Sequence, residues 1–202
     1  MTERKVTNAE TDARSADHAE QHDALVQLLA TRSARLGEFT LASGARSTLY
    51  IDARMTAMSP EGLALIGPLG LAELRVAGWS ADSVGGLTLG ADPVAYAIAY
   101  ASSATDRLIR AFTVRKEAKT HGTGKLIEGP FLPTDRVVVI EDVITTGGSA
   151  LKAIAAVESA GAAVIGVLSL VDREEGGRER IAAGGHAVRS LALASEIVAR
   201  MR

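Results

Sequence analysis

Two acids and a hydroxyl-glycine run stand side by side in "VVVIEDVITTGGSALKAI", residues 137–154. Glu141 and Asp142 close the apolar run Val137 to Ile140, and Thr145-Thr146-Gly147-Gly148-Ser149 follows after Val143 and Ile144. Carboxylates accept hydrogen bonds from sugar hydroxyls or hold a metal ion. Hydroxyls, flexible glycines and free N–H groups at a helix start are what an anionic phosphate needs. The stretch therefore points to a ligand that carries phosphate together with sugar hydroxyls or a metal. A second concentration of chemistry is cationic. Arg107, Arg110, Arg115, Lys116, Lys119, His121 and Lys125 lie within 107–125 against the single acid Glu117, and three of the five lysines in the chain fall between 116 and 125. No basic stripe elsewhere matches it, so the segment suits a small anion.

The four residues before Glu141 read as a fully buried strand, central in a parallel sheet. The acids then fall at its carboxyl edge, where open α/β sheets bind ligands. Ser149 reads as the N-cap of a helix running to about Ala160. Upstream, residues 1–20 read as a polar tail. Leu25, Val26, Leu28 and Leu29 mark an amphipathic helix over 21–35. Residues 37–55 read as two strands around a Ser-Gly turn, and Ser59-Pro60-Glu61 starts a helix that runs to about Ala77. Strand, glycine-rich loop and helix occupy 82–102, a strand 107–114, and a long polar loop 115–129. A buried strand over 162–172, a short helix closing at 181–185, and a last strand and helix complete the chain. Such alternation predicts one α/β domain over 21–202, a mostly parallel sheet flanked by helices.

Composition narrows the classes. With 202 residues, 47% of them hydrophobic, the chain can bury one sizeable core. No apolar run approaches the ~18 residues of a membrane span. Early acids (Glu3, Glu10, Asp12, Asp17) argue against a signal or transit peptide. The absence of cysteine excludes disulfides, thiol catalysis and thiolate-held metals, and fits the cytoplasm. A net charge of −2 leaves no footprint for nucleic acid or an anionic membrane.

Two phosphate motifs fail by inspection. Before Gly124-Lys125, Lys119 stands where a P-loop needs its first glycine, and Leu126 follows the lysine. No G-x-G-x-x-G occurs. What remains, an apolar strand, Glu-Asp, two apolar residues and Thr-Thr-Gly-Gly-Ser, resembles the motif for 5-phosphoribosyl 1-pyrophosphate (PRPP) in type I phosphoribosyltransferases. "RKEAKTHG" (115–122) resembles the loop of the orotate branch through Arg115, Lys116, Lys119 and His121. "FTLASG" (39–44), "STLYIDAR" (47–54), "GGLTLGADPVAYAIA" (85–99) and "LVDREEGG" (170–177) extend the likeness over nearly all of the chain beyond residue 20.

The resemblance implies a core sheet with a small N-terminal hood, and a Mg²⁺-dependent transfer of phosphoribose from PRPP to orotate. It implies that Glu141 and Asp142 face the ribose hydroxyls, while the backbone from Val143 and Ile144 through Thr145, Thr146, Gly147, Gly148 and Ser149 cradles the 5-phosphate. Arg115, Lys116, Lys119 and His121 would meet the pyrophosphate, with Lys119, Arg115, His121 and Asp142 as the catalytic set. Thr145 and Arg173 would hold orotate. No all-protein metal site is implied: Mg²⁺ would be carried mainly by PRPP and water. The family further implies a homodimer in which the 115–125 loop acts in trans.

Two departures stand out. Ala42 and Gly90 occupy positions where many relatives carry lysine, which leaves more of the pyrophosphate charge to the 115–125 loop. Tyr50 falls where the family places an aromatic beside orotate, although a core role fits equally. Trp79 reads as packing, His186 as structural, and His18 and His22 as exposed tail residues. Two rivals remain. A transferase for another base is disfavoured by the 115–122 pattern. A PRPP-sensing regulator would want a DNA-binding segment or basic face.

Overall fold

The computed structural model describes the backbone of residues 8–40, 46–117 and 125–201, with side chains over 16–39, 46–117 and 125–201. Helix α1 spans Asn8–Leu28, a π-helical turn Leu29–Ser33 follows, and β1 (Ala34–Thr40) pairs antiparallel with β2 (Arg46–Ile51). This two-stranded hood stands apart from the main sheet. Of the polar tail expected over residues 1–20, residues 8–20 lie in this helix, and residues 1–7 lie outside the described residues. That segment has no apolar stripe to mark a helix, but from residue 8 onward no glycine or proline interrupts it and alanines recur at 9, 13, 16 and 19. His18 and His22 therefore lie on a helix, and His22 sits 3.8 Å from Glu196.

Helix α2 (Arg54–Ala57) leads into α3 (Pro60–Val76). Ser59 caps α3 by accepting from the Gly62 N–H at 3.1 Å, with Pro60 and Glu61 in the first turn. Next come β3 (Ser83–Leu87), α4 (Ala91–Ser102) and β4 (Arg110–Val114). A two-residue strand, β5 (Ile127–Glu128), pairs antiparallel with β4 inside the expected long loop; it is too short to leave an alternating pattern. Then follow β6 (Arg136–Ile144), α5 (Gly148–Ser159), β7 (Ala163–Asp172), α6 (Gly177–Ala183), β8 (Val188–Leu193) and α7 (Ala194–Arg200).

The six strands run in the order β5-β4-β3-β6-β7-β8, and all neighbours are parallel except β4 and β5. Strand β6 is central, as its apolar run predicts. Val138 and Ile140 enter one core with residues of α1, α3 and α4, while Val137 and Val139 enter the other with residues of α5 and α6. Burial on both faces is why the run shows no alternation. Trp79 packs against the first core, as read from its position. His186 lies 3.7 Å from Glu158.

Candidate active site

The register of β6 builds the site. Its ladder with β3 ends at Gly85↔Val139, but its ladder with β7 continues to Ile144↔Asp172. Glu141 and Asp142 thus remain in the strand while rising past the end of the pairing with β3. Successive side chains of a strand point to opposite faces. Asp142 accordingly abuts Gly90 at the start of α4, and Glu141 borders the cavity over the start of α5.

The two carboxylates differ in burial. Glu141 is buried, and its Oε2 has no hydrogen-bond partner among the described residues. Burial, reinforced by the charge of Asp142, pushes the Glu141 carboxyl up to about 9. Asp142 is part-exposed, and one of its oxygens accepts the Val143 N–H at 2.9 Å.

The loop after β6 turns through Gly147, whose φ of 74° is the left-handed conformation that glycine adopts at least cost. Gly147, not Ser149, is the N-cap of α5, and no side chain caps the helix. Ser149 falls in the first turn instead, so the leading N–H groups keep no side-chain partner and are available to a ligand.

These parts line two adjoining cavities. One, of about 350 Å³, brings Glu141, Asp142, Thr145 and Ser149 together with Lys116 and Arg173. The other, of about 210 Å³, lies over Ile144 to Ser149 and includes Thr146, Gly147 and Gly148; Val143 borders both. Arg173 is buried: its guanidinium donates to Ser47 Oγ at 3.1 Å and to Glu175 at 2.5 Å, and its Nε has no partner among the described residues. Tyr50 lines the larger of the two cavities, 40% exposed and against Phe39 at 5.5 Å between ring centres, so it is not a core residue.

Arg115 stands elsewhere. It borders a third space of about 820 Å³ between the β4–β5 edge and α5, with its guanidinium 3.7 Å from Glu128. That space is larger than the other two together but contains neither the acid pair nor the phosphate loop. Lys119, His121 and Ala42 lie outside the described residues.

Two further features bear on the site and were not singled out in the sequence as site residues. Arg54 holds Asp52 through both carboxylate oxygens, at 2.8 and 2.9 Å, and this contact keeps the Asp52 carboxyl below its usual range. Both residues line the cavity of the acid pair. Their signal was the Asp-x-Arg that follows Tyr50. Asp92 accepts from Thr88 Oγ1 at 2.7 Å and from Thr113 Oγ1 at 2.8 Å, tying the loop before α4 to β4. That bridge joins positions far apart in sequence and left no local pattern.

Residues 72–184 match the phosphoribosyl transferase domain family. Orotate phosphoribosyltransferase of Aquifex aeolicus is 46% identical over 181 residues, covering 88% of this chain and 98% of that protein. The Corynebacterium glutamicum enzyme of that name is 48% identical over 174 residues, covering 86% and 92%. Among solved structures, Mycobacterium tuberculosis H37Rv orotate phosphoribosyltransferase in complex with PRPP superposes with a TM-score of 0.72. It is 40% identical, covering 88% of this chain and 99% of that one.

Proposed function

This chain belongs to the orotate phosphoribosyltransferase family, and on that premise we propose that the site around Asp142 transfers phosphoribose from PRPP to orotate. The products are orotidine 5′-monophosphate and pyrophosphate, the step that makes a pyrimidine nucleotide. One observation carries the reading to particular residues: a single cavity holds the strand-end acids, the start of the phosphate loop and a buried arginine with an unused Nε.

The bond from the anomeric carbon to the pyrophosphate oxygen breaks as a bond to a ring nitrogen of orotate forms, and the proton of that nitrogen leaves with the pyrophosphate. By analogy with glycoside cleavage, positive charge builds on the ribose and negative charge on the departing pyrophosphate. The protein must therefore position and neutralise rather than attack. The N–H groups and hydroxyls from Thr145 to Ser149 hold the 5-phosphate. Asp142 and Glu141 accept from the ribose hydroxyls, and Asp142 lends negative charge beside the ribose. Lys116, Arg115, Lys119 and His121 meet the pyrophosphate. Arg173 reads the orotate carboxylate, which a guanidinium fits in bidentate fashion, and Thr145 completes the orotate contacts.

Asp142, part-exposed in the same cavity, suits a cation that arrives with its own phosphate and water ligands. Mg²⁺ carried by PRPP in this way supplies added neutralisation of the leaving group when bound. Residues 21–202 act as a single phosphoribosyltransferase domain. The enzyme works in the cytoplasm as a homodimer, with the 115–125 segment of each subunit serving its partner's site, except that Lys116 lines the acid-pair cavity of its own chain. No helix among the described residues is long and apolar enough to cross a membrane.

The test is the loss of orotate absorbance with PRPP and Mg²⁺, with uracil, adenine and hypoxanthine as competing acceptors. Orotate consumption unaffected by the other bases is expected. Turnover of another base without orotate would overturn the reading.

A further inference from the structure

We propose that Lys152 is a further ligand of the PRPP 5-phosphate, an inference that rests on the assignment of the Thr145–Ser149 loop to that phosphate. A phosphate monoester carries between one and two negative charges near neutrality. The loop and the start of α5 answer it with hydroxyls, N–H groups and the partial positive charge of a helix N-terminus. None of residues 145–149 bears a full positive charge.

Lys152 supplies one. It is the cation lining the 210 Å³ cavity over the loop, and Glu141 is the acid there. In α5, Lys152 follows Ser149 by three positions and Gly148 by four, so the three share a helix face. Helical side chains tilt toward the N-terminus, which leans the lysine stem back over the loop. Its ammonium makes no ion pair or hydrogen bond among the described residues. Arg180, a cation of α6, already directs its Nη1 to the Thr146 carbonyl at 3.1 Å. Lys152 also borders the 820 Å³ space, so it stands on the wall between the two and a phosphate over the loop would draw it to one side.

The experiment titrates ribose 5-phosphate and inorganic phosphate into wild type, Lys152→Gln and Lys152→Arg at several salt concentrations, followed by calorimetry. KM values for PRPP and orotate are measured alongside. Lys152 is exposed, so melting temperatures should be unchanged. Lys152→Gln should bind ribose 5-phosphate about fivefold more weakly, the scale of one charge-assisted contact open to solvent. Its affinity should also depend less on salt. Lys152→Arg should restore both, and the KM for orotate should not move. Equal affinity and equal salt dependence in Lys152→Gln would overturn the proposal and leave the lysine to solvent or the larger space. Wild type that binds no ribose 5-phosphate would overturn it together with the loop assignment. Wild type that binds ribose 5-phosphate but does not consume orotate would overturn the activity alone, and the same titration would still decide Lys152.

Discussion

Gly90 and Asp142 share one space: a β-carbon on Gly90 would lie 2.4 Å from both Cγ and Oδ1 of Asp142. The absence of a side chain at the start of α4 is thus a condition for where the Asp142 carboxylate sits. A side chain at this position would have to displace the acid. Gly90→Ala should push Asp142 aside and raise the KM for PRPP about tenfold, the scale of one charge-assisted hydrogen bond. The melting temperature should hold, because the obstructed neighbour is a part-exposed side chain and not the core. Unchanged PRPP kinetics would show that the carboxylate can move freely.

Asp142 itself can be tested more directly. Asp142→Asn keeps the shape and removes the charge, so the fold should be retained while PRPP binding or turnover falls at least tenfold. Steady-state kinetics on protein of wild-type melting temperature decide the point. Wild-type kinetics would remove the ribose assignment.

For Arg173 the expected signature is selective. Arg173→Gln should raise the KM for orotate far more than that for PRPP, because orotate brings the carboxylate that a guanidinium recognises. The arginine is buried against Glu175, so some loss of stability should accompany the change, from an acid left without its partner. A thermal melt separates that loss from binding. Equal effects on both substrates would place Arg173 away from orotate.

Glu141 should leave a pH signature on stability. Its carboxyl titrates near 4.5 in the unfolded chain but at about 9 in the fold. Between those values the folded protein holds a proton that the unfolded chain has released. The contribution is therefore full below 4.5 and is lost as pH rises toward 9. Wild-type melting temperature should fall from pH 5 to pH 8 more steeply than that of Glu141→Gln, which cannot ionise. The Asp52 carboxyl, depressed by Arg54, acts in a lower window, as pH falls below about 4. Parallel profiles for the two proteins would mean that Glu141 is ionised in the fold.

The proposed action of the basic segment in trans predicts complementation. Lys119→Ala and Asp142→Asn homodimers should each be nearly inactive. After subunit exchange, random pairing makes about half the dimers mixed, each with one complete site, so activity should return to roughly a quarter of wild type. Verified exchange without recovery would mean action in cis or a monomer.

The chemistry-bearing stretch of this chain was legible because it is local. A buried strand, its terminal acids and the glycine turn fall within residues 137–149, and strand periodicity and turn chemistry act over such distances. The cap of α3 and the alternation of strands with helices were legible for the same reason. Other features belong to the tertiary structure. Gly147 took the cap position expected of Ser149, since the turn required a left-handed residue. Helix α1 reached back to Asn8 without an apolar stripe to announce it. The juxtaposition of Gly90 with Asp142, the raised Glu141 carboxyl, and the Asp92 bridge from Thr88 to Thr113 all depend on residues distant in sequence. The sequence by itself determined which groups could bind phosphate and ribose. Only the packing of the sheet against its helices decided which carboxylate is buried and pushed up and which stays part-exposed, because burial and close approach are properties of neighbours that no local run of residues contains.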